Sequence, residues 1–414
     1  MEGPPGAPSR WSFPPSPKVS RRFPRTLPAS ATQARIQACL SRVPVTRIAD
    51  LTPLDPLGLP VYSAVTPLAR DLTTHMGKGM DPTSARVSAL MEAIERVSAE
   101  HYAGPVQTAS WQALTAAGAC ALDPRWFDLP EDSAFSPARP ISWVAGRDLL
   151  ADREVLLPLD LVINPPAEGV LRDVDTNGLA SGNTLVEAVV HGLCEVIERD
   201  AVGQLLFAHL FGDPLGALPR PRRVDPGTLP AELYPWLERI AATGLALTVA
   251  DITNDIGVAT FKATLVDDAF PGPQGPEVRI FLGYGADPCA AVAVRRALTE
   301  AVQSRTGTIQ AARDAFNYVS LGTHVGAWRS SLRDLEPAED VSFAAVPTFE
   351  SDDLRDDLAH VLDRLRRAGA SHVVAVELTR PDLDVPVVRV RVPGLVSFLG
   401  NRRRVGWRCL RHLL

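Results

Sequence analysis

The chain has 414 residues, 46% apolar and 22% charged, a balance that supports a sizeable core in one large domain or two ordinary ones. A net charge of −6 argues against the basic footprint of a nucleic-acid binder, and no apolar run is long enough to span a bilayer. Five scattered cysteines with no Cys-x-x-Cys pair, and no apolar stretch of a secretory signal at the start, point to reduced thiols in a cytoplasm.

Residues 1–33 are rich in proline and arginine, and their composition predicts a flexible tail ahead of one domain over 34–414. Strand-like runs rich in valine, isoleucine and leucine follow at 155–162, 246–253, 257–266, 278–284, 372–378 and 385–392. Helical periods lie at 82–102, 184–203, 288–312 and 352–368. The alternation predicts a mixed α/β (α+β) domain. The proline-rich run at 212–230 reads as a surface excursion.

Three of these helices echo one another. Glu92-Ala93-Ile94-Glu95-Arg96 recurs 103 residues later as Glu195-Val196-Ile197-Glu198-Arg199, and a weaker copy, Glu300-Ala301-Val302-Gln303, follows 105 residues after that. Glycines precede each copy, at Gly77-Lys78-Gly79, Gly178 to Gly182-Asn183, and Gly283-Tyr284-Gly285. The pattern predicts one site built three times from a glycine loop and a helix. Asp81-Pro82 and Asp287-Pro288 read as helix starts, and Thr184 with Glu187 as a capping box.

Glu92 and Glu95 share one helix face, as do Glu187, His191, Glu195 and Glu198, and then Arg296, Glu300 and Gln303. Like charges at this spacing repel, and a hard divalent cation carrying phosphate oxygens would compensate them. Arg199, Arg296, Lys78 and Arg305 suit phosphate contact, and the glycines would let backbone amides approach an anion. A single Glu-x-x-Glu is usually a solvated face, but three aligned copies make that reading weak. For Glu187 the capping box is a competing explanation. For His191 and Cys194 simple packing is favoured over metal binding or nucleophilic chemistry.

Two stretches resemble the YcaO family. One runs from Thr176-Asn177-Gly178 through Gly182-Asn183-Thr184 to His191-Gly192-Leu193-Cys194-Glu195-Val196-Ile197-Glu198-Arg199-Asp200, and the other is Ser88-Ala89-Leu90-Met91-Glu92-Ala93-Ile94-Glu95-Arg96. The resemblance extends from about Thr46 to the C-terminus. It implies three acid-bearing helices around a nucleotide site, with ATP and Mg2+ as cofactors and phosphorylation of a backbone amide oxygen as the activating step. It assigns magnesium to Glu92, Glu95, Glu195 and Glu198. It gives the nucleotide to Asn183, Glu187, Arg199, Arg296 and Glu300; Lys78, Ser88 and Gln303 are expected to join them, with Arg199 and Arg296 as the catalytic pair. The family also uses a basic residue and a hydroxyl near the N-terminus, which the proline-rich segment does not locate.

The segment Arg296 to Arg305 with Ala311-Ala312-Arg313-Asp314, and Pro386 to Leu395, resemble the branch that works with a TfuA-type partner supplying sulfur and yields thioamides on a ribosomally made peptide or a protein. The ending Arg408-Cys409-Leu410-Arg411-His412-Leu413-Leu414 lacks the proline-spaced tail of azoline-forming members. One departure is Gly285-Ala286-Asp287-Pro288, where the branch commonly has a histidine. Azoline or amidine formation is the alternative chemistry, and a catalytically silent binding homologue the alternative class; five acids on three helices disfavour the latter. No nucleic-acid or membrane partner is expected, and a homodimer is compatible with the sequence.

Overall fold

A computed structural model gives the structure at residues 11–172, 174–212, 220–267, 280–312, 339–396, 398, 404–411 and 413. Residues 278 and 279, Arg313, Asp314, His412 and Leu414, used in the sequence reading, lie outside the described residues. Described strands are β1 (Arg47–Asp50), β2 (Val61–Val65), β3 (Thr74–Lys78), β4 (Val106–Ser110), β5 (Pro140–Asp148), β6 (Arg153–Pro158) and β7 (Leu179–Ser181). They continue with β8 (Arg222–Val224), β9 (Ala246–Asp251), β10 (Thr260–Val266), β11 (Ile280–Ala286), β12 (Glu339–Val341), β13 (Val374–Glu377) and β14 (Val387–Arg391). Helices are α1 (Ala29–Gln37), α2 (Pro82–Ser98), α3 (Trp111–Ala116), α4 (Leu185–Phe211), α5 (Tyr234–Ala242), α6 (Ala290–Gln310), α7 (Leu354–Arg367) and α8 (Trp407–Leu410).

The strands form three sheets, ordered β1-β2-β3, β11-β10-β9-β8-β12 and β4-β5-β13-β14-β7, with β6 also on β5. Apart from the parallel β12–β8 pair, the ladders are antiparallel. The mixed α/β architecture of the sequence reading is therefore observed. The apolar runs become β6, β9, β10, β11, β13 and β14 with trimmed ends, and 159–161 turns into a short 3-10 helix. Strands such as β4 escaped notice because they are short and half-exposed, without an apolar run.

α4 runs eight residues past its expected end at 203, because its apolar residues encircle it. Val186 through Phe207 bury almost every side chain between β7, β14, β11 and α7. No described helix is long and apolar enough to cross a membrane.

Three strand–helix units organise the molecule. β3 leads into α2, β7 into α4 and β11 into α6, through the short connections 79–81, 182–184 and 287–289. Glycines permit the close packing of the first and third. A Cβ on Gly77 would overlap the backbone of Ala85 and Ala89 in α2, and one on Gly283 would overlap Ala297 and Ala301 in α6. The space beyond these hydrogens is filled by helix backbone, so Gly77 and Gly283 serve strand-on-helix packing instead of the expected anion cradle.

Asp81 caps α2, accepting the Ser84 amide at 2.9 Å. Asp287 does not cap α6. The helix starts at Ala290 after Cys289, whose N–H donates to Asp287 at 3.0 Å. Thr184 caps α4 through the Glu187 N–H, but the Glu187 carboxylate does not return to complete a capping box.

The expectation of a flexible tail over residues 1–33 fails for the described part, residues 11–33. Ser16 N–H donates to Asp353, the Lys18 ammonium pairs with Asp357 at 2.8 Å with both side chains buried, and α1 begins at Ala29. Composition missed this because the segment is held by ionic and backbone contacts to the body, which polar, proline-rich sequence does not advertise.

Candidate nucleotide and metal site

The three units bring their acids to one region. Ser88, Glu92 and Glu95 stand on α2; Glu187, His191, Glu195, Glu198 and Arg199 on α4; Arg296, Glu300 and Gln303 on α6; and Lys78 ends β3. Cross-contacts stitch the units together. Lys78 Nζ donates to Glu300 Oε2 at 2.6 Å, and Gln303 Nε2 to the Met76 carbonyl at 2.8 Å, joining α6 to β3. The Ala286 amide donates to Glu198 Oε2 at 3.1 Å, joining β11 to α4. Ser181 Oγ donates to Glu95 Oε2 at 3.3 Å, joining β7 to α2. Ser88 sits half-buried one turn before Glu92 and makes no side-chain hydrogen bond to the other candidates.

The electrostatics are those of an under-compensated acid cluster. Burial, reinforced by Glu195 and Glu92 and opposed by Arg96, pushes the Glu95 carboxyl up to about 8. Burial and the neighbouring Glu300 push Glu198 up to about 7, against Arg199 and Arg296. Burial likewise raises Glu195, with Arg199 opposing from 3.9 Å. Glu300 goes the other way: burial would raise it, but Lys78 and Arg199 hold it below the usual carboxylate range. Burial disfavours the guanidinium charge of Arg199, yet Glu195, Glu198 and Glu300 outweigh it and raise its pKa. Arg296 is raised against burial in the same way by Glu198. Glu195 keeps 25% and Glu300 30% of its side-chain surface, so the recess is open enough to admit a ligand.

Among the described residues no three acidic, cysteine or histidine side chains close into a protein-only metal cage. Carboxylates on α2 and α4, each raised by burial without such a cage, fit a cation that brings its own phosphate oxygens.

Asn183 and Glu187 form a second group. Asn183 Nδ2 donates to Glu187 at 3.1 Å, Thr32 Oγ1 donates to Asn183 Oδ1 at 2.9 Å, and Arg35 to the Asn183 carbonyl at 2.6 Å. Arg25 and Thr26, which the sequence reading did not find, both reach Glu187, Arg25 at 3.3 Å and Thr26 through its N–H and hydroxyl at 2.9 Å. A basic residue beside a hydroxyl was the available signal, hidden among prolines.

His191 is half-buried and held neutral, its pKa far below the usual value through desolvation and the adjacent Arg296 and Arg25. Cys194 packs in the core around α4, and burial raises its thiol well above the ordinary range. Both fit the packing roles. Arg305 lies instead under Asp55 and Asp267, at 2.6 and 2.8 Å, away from a phosphate role. An open cleft of about 710 Å³ around Arg21, Phe349 and His360 includes none of the candidate acids. A smaller one of about 360 Å³ lies between residues 13–17, Thr26 and Thr184 to Val186, beside the Glu187 group.

The family model described as YcaO cyclodehydratase, ATP- and Mg2+-binding, matches residues 76–396. An uncharacterized protein in the tfuA 3' region of Rhizobium leguminosarum bv. trifolii is 31% identical over 422 residues, covering 95% of this chain and 93% of that one. The structure of YcaO from Methanopyrus kandleri bound with AMPPCP and Mg2+ superposes with a TM-score of 0.73 at 26% identity, covering 95% and 97% of the two chains. A heterocyclase in complex with substrate and cofactor shares the fold at TM-score 0.76 and 24% identity, and this chain, 93% covered, spans 54% of its length.

Proposed function

The chain belongs to the YcaO family, whose cofactors are ATP and Mg2+, and from that premise we propose that it activates backbone amides of a peptide or protein and exchanges the amide oxygen for sulfur with a TfuA-type partner. The observation that carries the amide-activating reading is the convergence of three acid-bearing strand–helix units on one under-compensated cluster. The homologue in a tfuA 3' region supports the thioamide branch.

Glu92, Glu95, Glu195 and Glu198 would hold the magnesium. Lys78, Ser88, Asn183, Glu187, Glu300 and Gln303 would hold the nucleotide, with Arg25 and Thr26 added to that set. ATP supplies a phosphoryl group that turns the amide oxygen into a leaving group. The protein's own part is positioning and charge neutralisation. Arg199 and Arg296, each raised by flanking carboxylates, keep fixed positive charge where phosphate oxygens gather. Lys78, paired with Glu300, places a third cation at the same edge. Neutral His191 adds no further charge. No side-chain nucleophile is needed, since an external sulfur donor attacks the carbonyl carbon.

Azoline formation is the second reading, favoured by the cyclodehydratase description of the family. Mass spectrometry of a peptide treated with enzyme, ATP, Mg2+, sulfur donor and partner separates the two. Exchange of oxygen for sulfur adds about 16 Da, whereas cyclodehydration removes about 18 Da at a cysteine, serine or threonine. Loss of water at such a residue would overturn the thioamide reading. No mass change and no ATP turnover with any partner would favour a silent homologue.

A further inference from the structure

The N-terminal segment is a strap with two ends. At one end, Ser16 N–H donates to Asp353 at 2.9 Å, the Leu354 N–H donates to the Ser16 carbonyl at 3.0 Å, and the Lys18 N–H donates to the Asp352 carbonyl at 2.9 Å. There the Lys18 ammonium meets Asp357 Oδ2 at 2.8 Å, with 2% and 3% of the two side chains exposed. Ser351 Oγ takes the other oxygen of Asp357 at 2.8 Å. At the other end, Arg25 and Thr26 meet Glu187.

A hydrogen-bonded turn connects the two ends. The Val19 N–H donates to the Arg25 carbonyl at 2.8 Å, and the Phe23 N–H to the Ser20 carbonyl at 3.0 Å. Residues 19–25 are thereby a closed turn that joins Lys18 to Arg25. Arg295 adds a lateral tie, donating to the Arg22 carbonyl at 2.6 Å. The other ionic contacts of the strap, Arg21 with Asp352 and Arg22 with Glu232, are exposed, and exposed pairs hold little. A buried pair differs, because removing one partner strands a desolvated charge.

We propose that Lys18 is a positioning residue: through its buried pair with Asp357 it fixes the strap so that Arg25 and Thr26 stand at Glu187 and complete the nucleotide site. The inference rests on the ATP-binding reading above. Lys18 itself touches neither that site nor the reacting groups. Of the three lysines in the chain it is the one spent on anchoring, while Lys78 lies at the site and Lys262 within β10.

The test uses the full chain and three variants. Lys18→Met with Asp357→Asn removes both charges without stranding either, Lys18→Gln keeps a hydrogen-bonding group should the double variant not fold, and Arg21→Ala breaks the exposed pair of the same strap. Mg-ATP affinity is measured by calorimetry well below the melting point, where a general stability role would not move it. Tryptic cleavage after Arg21, Arg22 and Arg25 is followed in parallel as a report on strap release.

The double variant should be cleaved faster and bind Mg-ATP about tenfold more weakly, with Lys18→Gln, which leaves the Asp357 charge stranded, at least as weak and Arg21→Ala near wild type. Faster cleavage with wild-type affinity would overturn the proposal, as would unchanged cleavage or an equal loss in Arg21→Ala. Failure of the wild type itself to bind Mg-ATP would instead remove the underlying nucleotide reading, a result visible before any variant is compared.

Discussion

Loading the acid cluster with Mg-ATP should expel protons. Without ligand, burial raises Glu95 to about 8, Glu198 to about 7 and Glu195 above its ordinary value, so at pH 7 the cluster holds protons that free carboxylates would have lost. Magnesium binds ionised oxygens, so binding releases on the order of one to two protons at pH 7. The apparent affinity then rises by on the order of one log unit or more per pH unit near pH 7 and levels off above about pH 9. Calorimetry in buffers of different ionisation enthalpy reads the release directly. Glu95→Gln removes the most strongly raised of these groups and should lower the release by about one proton if binding survives.

The same shift sets the stability of the ligand-free protein. Glu95 has a folded pKa above its ordinary value of 4.5, so between pH 4.5 and about 8 the folded chain holds more protons than the unfolded one. Stability therefore falls as pH rises through that window. At 1.36 kcal/mol per unit, the 2.5 units between 4.5 and pH 7 set a ceiling of about 3 kcal/mol, and about 2 kcal/mol after allowance for partial exposure. Glu95→Gln should thus raise the ligand-free melting temperature at pH 7 by about 2–3 °C while weakening Mg-ATP binding. A heat independent of buffer, or a glutamine variant less stable than wild type, would refute the reasoning.

Four further outcomes follow from the geometry. Arg199→Lys should lose nearly as much activity as Arg199→Ala, because an ammonium keeps the charge but not the planar fork; full turnover by the lysine variant would exclude bidentate contact. Lys78→Met removes the main stabiliser of ionised Glu300 and should weaken Mg-ATP binding by about tenfold or more, read by titration. Gly77→Ala and Gly283→Ala force a Cβ into helix backbone and should each cost about 3 kcal/mol or more in denaturant unfolding, with Gly118→Ala, where the space is open, as a milder control. Removing residues 1–24 deletes Lys18 and the backbone hydrogen bonds of Ser16 and Lys18 to residues 352–354, so the melting temperature should fall measurably.

The sequence alone determined the parts that repeat or that carry strong local periodicity. The echo of Glu92-Glu95 in Glu195-Glu198 and Glu300 located α2, α4 and α6, because two acids three apart in an otherwise apolar helix stand out against the 3.6-residue period. The valine-rich runs located β9, β10, β13 and β14 because buried strands need continuous apolar sequence.

Tertiary structure decided what depends on distance in space. The glycines before the helices allow backbone to touch helix, a role invisible without knowing what fills the missing Cβ. Glu187 proved to be a meeting point for Asn183, Arg25 and Thr26, and no local pattern relates positions about 160 residues apart. The N-terminal strap was misread for the same reason. A polar, proline-rich segment buries too little apolar surface to be seen as ordered, yet a buried ion pair to α7 and a run of backbone hydrogen bonds hold it, and those partners are brought to it only by the folded chain.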